Sequence, residues 1–567
     1  MNMKPLHKFA QIVLTCLLTL HVANPMLSQV QTVGTIVYDP SMYHDGYTLI
    51  YPHNQHRTLL LNACGEVVHS WDLEENMRPG NVSYLQPNGD LVLTSREASV
   101  GDDPIWAGGG GANIQRRNWD NEVLWSFSLN DSTARLHHDI EILPNGNVLA
   151  ICWERIDSLG AIDAGRNPTY LTEGELWSDK VIEIAPDEDS GAEIVWEWRA
   201  WDHLIQDFDS TKSNYGIVAD HPNKINLNYG SSNETSADWL HINSIDYYGY
   251  YDLSGQILLS IPTFDEVWVM WHDFPAEDDV LWRWGNPAAY NRGDSTDQKL
   301  FFQHDAHWGE SDMALSPGQP EFTQICVFNN RVPTDSVETH SEVATISVVF
   351  DEYEGGYELD PSTGTFEPDD FNWVYTEDAL NSSGLSSFQW LGDGSYLICN
   401  GRTGQLLENS GDGTRIWEYR TPLIGGAPVE QGTALEINQN MTFRAYRYPA
   451  DYSAFEGHDV SSGTPLELNP VPLEVCEVSS VDDLSSKSSW NLYPNPSEGM
   501  IELSWNESFL IDHDLQIFHA DGRLVLTASI RAGTTHWSHD LSGLPDGLYL
   551  LQSSTNRSLN FRFIKMN

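Results

Sequence analysis

The chain has 567 residues, 40% of them apolar and 11% aromatic with 21 Trp, which is ample core material and argues against bulk disorder. Its 82 acidic against 29 basic residues leave a formal charge of −53. That excludes nucleic-acid binding, which needs a basic footprint, and obliges any anionic substrate to reach a local positive site against the overall field.

Residues 1–28 read as a secretory signal peptide: Lys4 and Lys8, an apolar run from Ile12 to Leu20, then Pro25 and the small Ser28. No later segment is long and apolar enough for a transmembrane helix, so a mature chain without a membrane span is expected outside the cell. Cleavage removes Cys16 and leaves Cys64, Cys152, Cys326, Cys399 and Cys476, an odd number with no CxxC spacing, so no structural zinc site is expected. Cys64 and Cys476 lie near the two ends of the main domain. A ring-shaped fold brings such ends together, and this is the pair expected to bridge.

From Val30 to about Cys476 the chain repeats loosely. Strand–turn–strand units recur at Tyr84–Leu93, Ile140–Leu149 and Phe388–Leu397, turning on Asn88-Gly89, Asn145-Gly146 and Asp393-Gly394, residue types that tolerate positive φ. A second unit, Trp-x-aromatic, recurs at Trp125, Trp196, Trp282, Trp373 and Trp417, with a degenerate sixth copy at Trp71, at spacings of 44 to 91 residues. Helical periodicity is nearly absent. The class is all-β, and six aromatic strands predict a six-bladed β-propeller over 29–478.

Several stretches within it carry chemistry. Continued alternation through His137-His138-Asp139-Ile140 packs His138 with Ile140 and Ile142 and turns His137 toward solvent with Asp139 and Glu141. Ala237–Ser244 reads as a short strand with Trp239, His241 and Asn243 on one face and Leu240 and Ile242 on the other. In Phe302–Trp308, His304 and His307 are three apart on a strand, hence on opposite faces, which argues against a metal pair; no cofactor is expected. Phe328-Asn329-Asn330-Arg331 ends an apolar run on a cation. Arg116-Arg117, close after Gly108–Gly111, reads as a solvated turn, with an anion-binding loop as the alternative. The plain reading of all these groups is hydrogen bonding inside a β-fold.

After Cys476 the texture changes. Residues 479–489 form a Ser-rich linker, and 490–567 alternate in short strands, as a small β-sandwich does. This tail resembles the C-terminal sorting domain of the bacterial type IX secretion system at Tyr493-Pro494-Asn495-Pro496, Asp521-Gly522-Arg523, Leu544–Tyr549 and Phe561–Lys565. The resemblance implies passage across the inner and outer membranes through that machinery, and release or anchoring at the cell surface.

At Asp238–Ser244, Gln303-His304 and Arg331, with His137–Ile140 and Phe443–Tyr448 in support, the main domain resembles the bacterial arylsulfate sulfotransferase family. That resemblance implies a six-bladed propeller moving a sulfuryl group from a phenolic sulfate to another phenol, carried on a histidine near the axis. By it, His241, His304 and Arg331 surround the sulfate, while Asn243, His138, His307, Arg402 and Gln405 bind substrate. The chemistry suits these residue types: a permanent guanidinium stabilises charge on peripheral oxygens, and imidazole serves as nucleophile, acid or base. One departure stands in Asn400–Leu406, where Gln405 occupies the place of the family's covalent histidine. Either His304, His307 or His138 serves instead, or sulfate passes directly, or the activity is lost. A non-catalytic propeller binding an anionic or glycan ligand, and a metal-dependent hydrolase, are the rival readings.

Overall fold

The computed structural model describes residues 31–566 except 102, 188–190, 231–235, 250–254, 273–279, 310–320, 335–337, 352–355, 462, 478–490, 494–496, 498, 505–512, 520–522 and 554–559. The signal peptide and the Ser-rich linker lie outside the described residues.

Six antiparallel sheets are built from chain segments in sequence order. Blade 1 comprises Thr442–Pro449 (innermost), Gly46–Pro52, Arg57–Leu61 and Glu66–Asp72. Blade 2 comprises Met77–Leu85, Leu91–Glu97, Asn113–Arg117 and Val123–Ser128, and blade 3 comprises Ala134–Ile142, Val148–Asp157, Glu175–Asp187 and Gly191–Arg199. Blade 4 takes Ser244–Tyr248, Gln256–Ile261, Glu266–Trp271 and Trp282–Trp284; blade 5 takes His304–Trp308, Glu321–Pro333, Thr339–Asp351 and Trp373–Tyr375. Blade 6 takes Ser387–Trp390, Tyr396–Asn400, Gln405–Asn409 and Arg415–Arg420. Each innermost strand neighbours that of the next blade, and blade 6 returns to blade 1, so the sheets close into a six-bladed propeller.

The aromatic repeat is the fourth strand of every blade: Trp71, Trp125, Trp198, Trp282 and Trp417 are buried there, and Trp373 is half-buried. The Asn-Gly and Asp-Gly turns join first to second strands, with Gly89, Gly146 and Gly394 at φ 86°, 87° and 88°. A side chain disfavours that conformation, which is why glycine marks these turns in the sequence.

Both chain ends close the ring. Gly34–Tyr38 adds an outermost strand to blade 6, Thr442–Pro449 supplies the innermost strand of blade 1, and Cys64 is bonded to Cys476 across 412 residues. Cys152, Cys326 and Cys399 are buried thiols. Replacing Cys64 and Cys476 with serine is expected to lower stability by about 2–4 kcal/mol, read as an earlier midpoint in denaturant unfolding, because the bridge restrains a very long loop in the unfolded chain.

Side chains tie each innermost strand to the next. Leu85 N donates to Tyr448 Oη (2.9 Å), Tyr84 Oη to Asp139 Oδ1 (2.7 Å), Ile245 N to Asp139 Oδ2 (3.1 Å), Trp308 N to Asp246 Oδ2 (2.6 Å), Phe388 N to Asp305 Oδ2 (2.9 Å) and Arg447 N to Gln389 Oε1 (2.8 Å). All six junctions are thereby bridged, three of them by an aspartate accepting a backbone N–H of the following blade, Asp139 and Asp305 buried and Asp246 half-buried. Arg444 ties the inner ring further. Its guanidinium lies 2.8 Å from Asp139 Oδ2 and 2.9 Å from Asp305 Oδ1, and donates to Tyr84 Oη at 2.8 Å.

The tail is a sandwich of a three-stranded sheet (Asn491–Tyr493, Met500–Ser504, His536–Asp540) and a four-stranded one (Leu524–Ile530, His513–His519, Gly547–Ser553, Asn560–Lys565). Ile501 and Leu503 from one sheet and Leu515, Ile517, Leu551 and Phe563 from the other share its core.

Candidate active site

The chemistry-bearing stretches depart from regular strand geometry at or beside their histidines. His138, His241, Phe302 and Asp305 have φ of 50°, 55°, 56° and 56°, the left-handed region that non-glycine residues seldom enter. Each break interrupts the two-residue alternation. The pairing of blade 3's inner strands shifts register between Ala150 and Cys152, and that of blade 5 between His304 and His307. Such conformations cost on the order of 1–3 kcal/mol apiece and cluster at functional sites.

These breaks overturn two expectations. Asp238–Asn243 is not a strand; the first strand of blade 4 begins at Ser244, because the left-handed turn at His241 stops pairing. His137 is not near solvent. It is buried, its ring stacks on Trp153 at 4.1 Å, and its Nε2 lies 2.8 Å from Asp179 Oδ1.

What converges is an aromatic-walled cluster of imidazoles and guanidiniums. The His138 and His241 rings are 4.5 Å apart, His241 lies 6.1 Å from Phe302, and Phe302 lies 5.9 Å from His304. Arg331 stacks over the same Phe302 ring at 3.5 Å, and Phe443 stands 6.0 Å from His138 and 6.2 Å from His304. Arg402 reaches the cluster as well: a Cβ added to Gly384 would meet Arg402 Nη2 at 3.2 Å and His304 Cε1 at 3.7 Å. Arg331 donates Nε to Ser383 O (2.8 Å) and Arg402 donates Nη1 to Asn438 Oδ1 (3.0 Å). Both acceptors are neutral, and among the described residues neither arginine makes an ion pair. Two guanidiniums without an ion pair, Arg331 feeling Asp265 only at longer range, stand beside three imidazoles, and such a group could hold an anion even in so acidic a chain.

The imidazoles differ in electrostatics. Asn330 Nδ2 donates to Ser382 O (2.6 Å) and Leu385 O (3.0 Å), so its Oδ1 faces His304 Nδ1 at 2.8 Å. His304 Nδ1 must then carry the proton, leaving Nε2 with a free lone pair. Burial pushes the His304 pKa down to about 3, so the ring stays neutral at ordinary pH. His241 is the opposite case. Burial works against its charge, but its hydrogen bond and ion pair to Asp238, at 2.5 Å from Nδ1, outweigh that and raise its pKa. Asp238 is itself fixed by Trp153 Nε1 at 2.8 Å. Two imidazoles pushed apart in this way could serve one as a nucleophile and the other as an acid.

Three residues expected to bind substrate are placed elsewhere. Asn243 is fully buried and donates Nδ2 to Gln303 O at 2.7 Å, holding blades 4 and 5 together. His307 turns to Asp305, 3.5 Å away, on the other side of the register shift; burial opposes its charge, but that carboxylate leads the groups that push its pKa up to about 10. Gln405 opens the third strand of blade 6 and donates to Glu418 Oε1 at 2.7 Å, engaged by the outermost repeat rather than the axis. The residue of that stretch that reaches the cluster is Arg402. Arg116 pairs with Asp90 at 2.6 Å and Arg117 is buried against Gln115 and Asn121, so the doublet forms neither a solvated turn nor an anion loop. Asp238, Asn330, Phe302 and Phe443 were not singled out by the sequence pattern. Their signal is their company: Asp238 lies three residues before His241, Phe302 two before His304, Asn330 next to Arg331, and Phe443 opens the Phe443–Tyr448 stretch. Among the described residues, the one group of side chains spaced to hold a metal is Asp360, Glu367 and Asp369, which includes none of these histidines.

Fold and site together define a propeller in which imidazoles and guanidiniums gather in one cluster. Residues 120–438 match the arylsulfotransferase (ASST) family, and residues 491–565 match the secretion system C-terminal sorting domain. The chain belongs to the arylsulfotransferase family, and its tail directs it through the type IX system to the cell surface or beyond. No curated protein matches it. Solved structures that it resembles include distant ones. The periplasmic gluconolactonase PpgL of Pseudomonas aeruginosa is 8% identical, with 71% of this chain and 99% of that one covered and a TM-score of 0.30. The exo-inulinase of Aspergillus awamori is 10% identical over 86% and 90%, TM-score 0.29, and AztD of Citrobacter koseri 9% over 71% and 98%, TM-score 0.28. Among the described residues no helix is long and apolar enough to cross a membrane.

Proposed function

We propose that this protein transfers a sulfuryl group from a phenolic sulfate ester to a phenolic acceptor, with His304 carrying the group between the two half-reactions. The observation that carries this reading is the tautomer of His304: Asn330 occupies its Nδ1 and leaves Nε2 unprotonated inside a cationic pocket. Nε2 attacks sulfur, the sulfur–oxygen bond to the aryl group breaks, and the phenolate leaves. Arg331 and Arg402 hold the peripheral sulfate oxygens, where negative charge gathers. His241, charged through Asp238, protonates the leaving phenolate. The acceptor oxygen then attacks the same sulfur, and the sulfur–nitrogen bond breaks.

The test is incubation of the mature chain with 4-nitrophenyl sulfate and phenol, following nitrophenol release and phenyl sulfate formation. Parallel-line kinetics in the two substrates are expected. Saturable binding of the aryl sulfate with no turnover would instead establish a binding propeller.

Asp238→Asn gives a pH-resolved check. As an acid His241 must be protonated, so kcat/KM for an unactivated aryl sulfate falls as pH rises through its raised pKa. Removing the carboxylate lowers that pKa, and the alkaline limb moves to lower pH. At slightly alkaline pH the expected loss is on the order of 10²-fold for phenyl sulfate and much less for 4-nitrophenyl sulfate, whose phenolate leaves without help.

A further inference from the structure

Behind His138 lies a line of buried polar groups that the transfer chemistry above does not use. His138 Nδ1 and His137 Nδ1 are 2.8 Å apart, and His137 Nε2 is 2.8 Å from Asp179 Oδ1. All three side chains are buried, Asp179 completely, and the His137 ring is clamped flat on Trp153 with 7° between the planes. The last contact is at proton-transfer distance but not aligned as a hydrogen bond, so the carboxyl must turn slightly to close it. At the near end, His138 Nε2 sits over Gly109. A Cβ there would lie 1.9 Å from Nε2, so the glycine run keeps this nitrogen clear beside His241.

We propose that Asp179, His137 and His138 form a proton relay that takes up the proton of the acceptor phenol, with His138 as the group that meets the phenol and His137 and Asp179 as positioning residues behind it. This deepens the sulfuryl-transfer reading and rests on it. Nδ1 to Nδ1 contact requires that one ring donate and the other accept. The relay requires that, before the acceptor arrives, Asp179 be a carboxylate facing His137 Nε2–H, with His137 Nδ1 accepting from His138 Nδ1–H and His138 Nε2 holding a lone pair. When the phenol oxygen attacks sulfur, its proton passes to His138 Nε2, the Nδ1 proton of His138 moves to His137 Nδ1, and the Nε2 proton of His137 moves to the carboxylate. One proton crosses each link, the sulfur–nitrogen bond to His304 breaks, and no imidazolium remains. Before the next donor binds, the proton returns along the same line and passes from His138 to His241, whose ring is 4.5 Å away, restoring both the Asp179 carboxylate and the acid.

The surroundings favour that endpoint. Burial and the neighbouring His241, His137, His304 and Arg444 hold the His138 pKa well below its usual range, so a lone His138 is a poor resting place for a proton. Burial and the nearby Asp238 raise the Asp179 carboxyl well above its own range. A proton entering at the imidazole therefore finds its stable site at the far end.

The experiment uses Asp179→Asn and His137→Phe in the full mature chain, with kcat/KM measured for two acceptors against 4-nitrophenyl sulfate. Phenol must lose a proton during attack; an acidic polyfluorophenol arrives already as phenolate. The relay predicts a loss on the order of 10²-fold with phenol and little loss with the polyfluorophenol. Equal losses with both acceptors would overturn it in favour of a structural role. Nitrogen-15 NMR of histidine-labelled wild type decides the matter independently of turnover. The relay requires both rings neutral and in opposite tautomers; the same tautomer on both, or an imidazolium on either, would overturn it. Should the wild type transfer no sulfate while the opposite tautomers are found, the transferase reading fails and the wired pair stands.

Discussion

His304→Ala is expected to reduce sulfuryl transfer on the order of 10⁴-fold or more, the scale seen when a covalent nucleophile is removed from a preorganised site. The protein should remain folded, since His304 uses Nδ1 on Asn330 and stands against Phe302 and Phe443 without an ion pair among the described residues. The loss reflects the chemistry demanded of that nitrogen. A nucleophile toward sulfur must be unprotonated and aimed, and Asn330 secures both by taking Nδ1 while its own amide is held by two carbonyls. Rapid quenching of wild type with 4-nitrophenyl sulfate should trap a sulfuryl group on the peptide containing His304, with a burst of nitrophenol. Direct passage from donor to acceptor predicts neither burst nor adduct, and an adduct on His138 or His241 would reassign the nucleophile. Asn330→Ala should behave as a weaker copy, because it frees the tautomer without deleting the ring.

The fold was more legible than the site, for a physical reason. Turn glycines and the alternate aromatics of the fourth strands are local signals, and blade count follows from counting them: Trp71 through Trp417 sit one to a blade. The disulfide followed from the ring. The site depends instead on residues that break strand periodicity. His138 and His241 occupy left-handed backbone that alternation does not anticipate, so His137 was assigned to solvent and Asp238–Asn243 to a strand. His304 and His307 do part company, but through the register shift after a left-handed Asp305, not through regular pleating. Arg402 and Gln405 show the limit of matching by position in a loop. Only two residues separate them, and only the structure tells that Arg402 faces His304 while Gln405 turns to Glu418.

Arg444→Met is expected to cost about 3–5 kcal/mol of stability, the penalty of breaking a buried ion pair by removing one partner. The guanidinium is all but fully buried between Asp139 and Asp305, which are themselves buried and each hold a backbone N–H of the next blade. Methionine fills the space of the stem but leaves two carboxylates facing each other without their cation. The cost should therefore depend on pH. Burial already raises the Asp305 pKa while Arg444 pulls it down, so losing the arginine raises it further. A carboxyl with a raised folded-state pKa binds its proton in the folded chain before the unfolded one does. The penalty is thus smallest below the ordinary aspartate range and grows as pH climbs through the folded value. Denaturant unfolding at two pH values checks this: the gap between wild type and Arg444→Met should be wider at pH 8 than at pH 5. Adding Asp305→Asn to the variant should recover part of the loss at pH 8 and little at pH 5, since the amide is neutral at both. An equal gap at both pH values would mean that Arg444 matters for its bulk and hydrogen bonds, with its charge of no consequence.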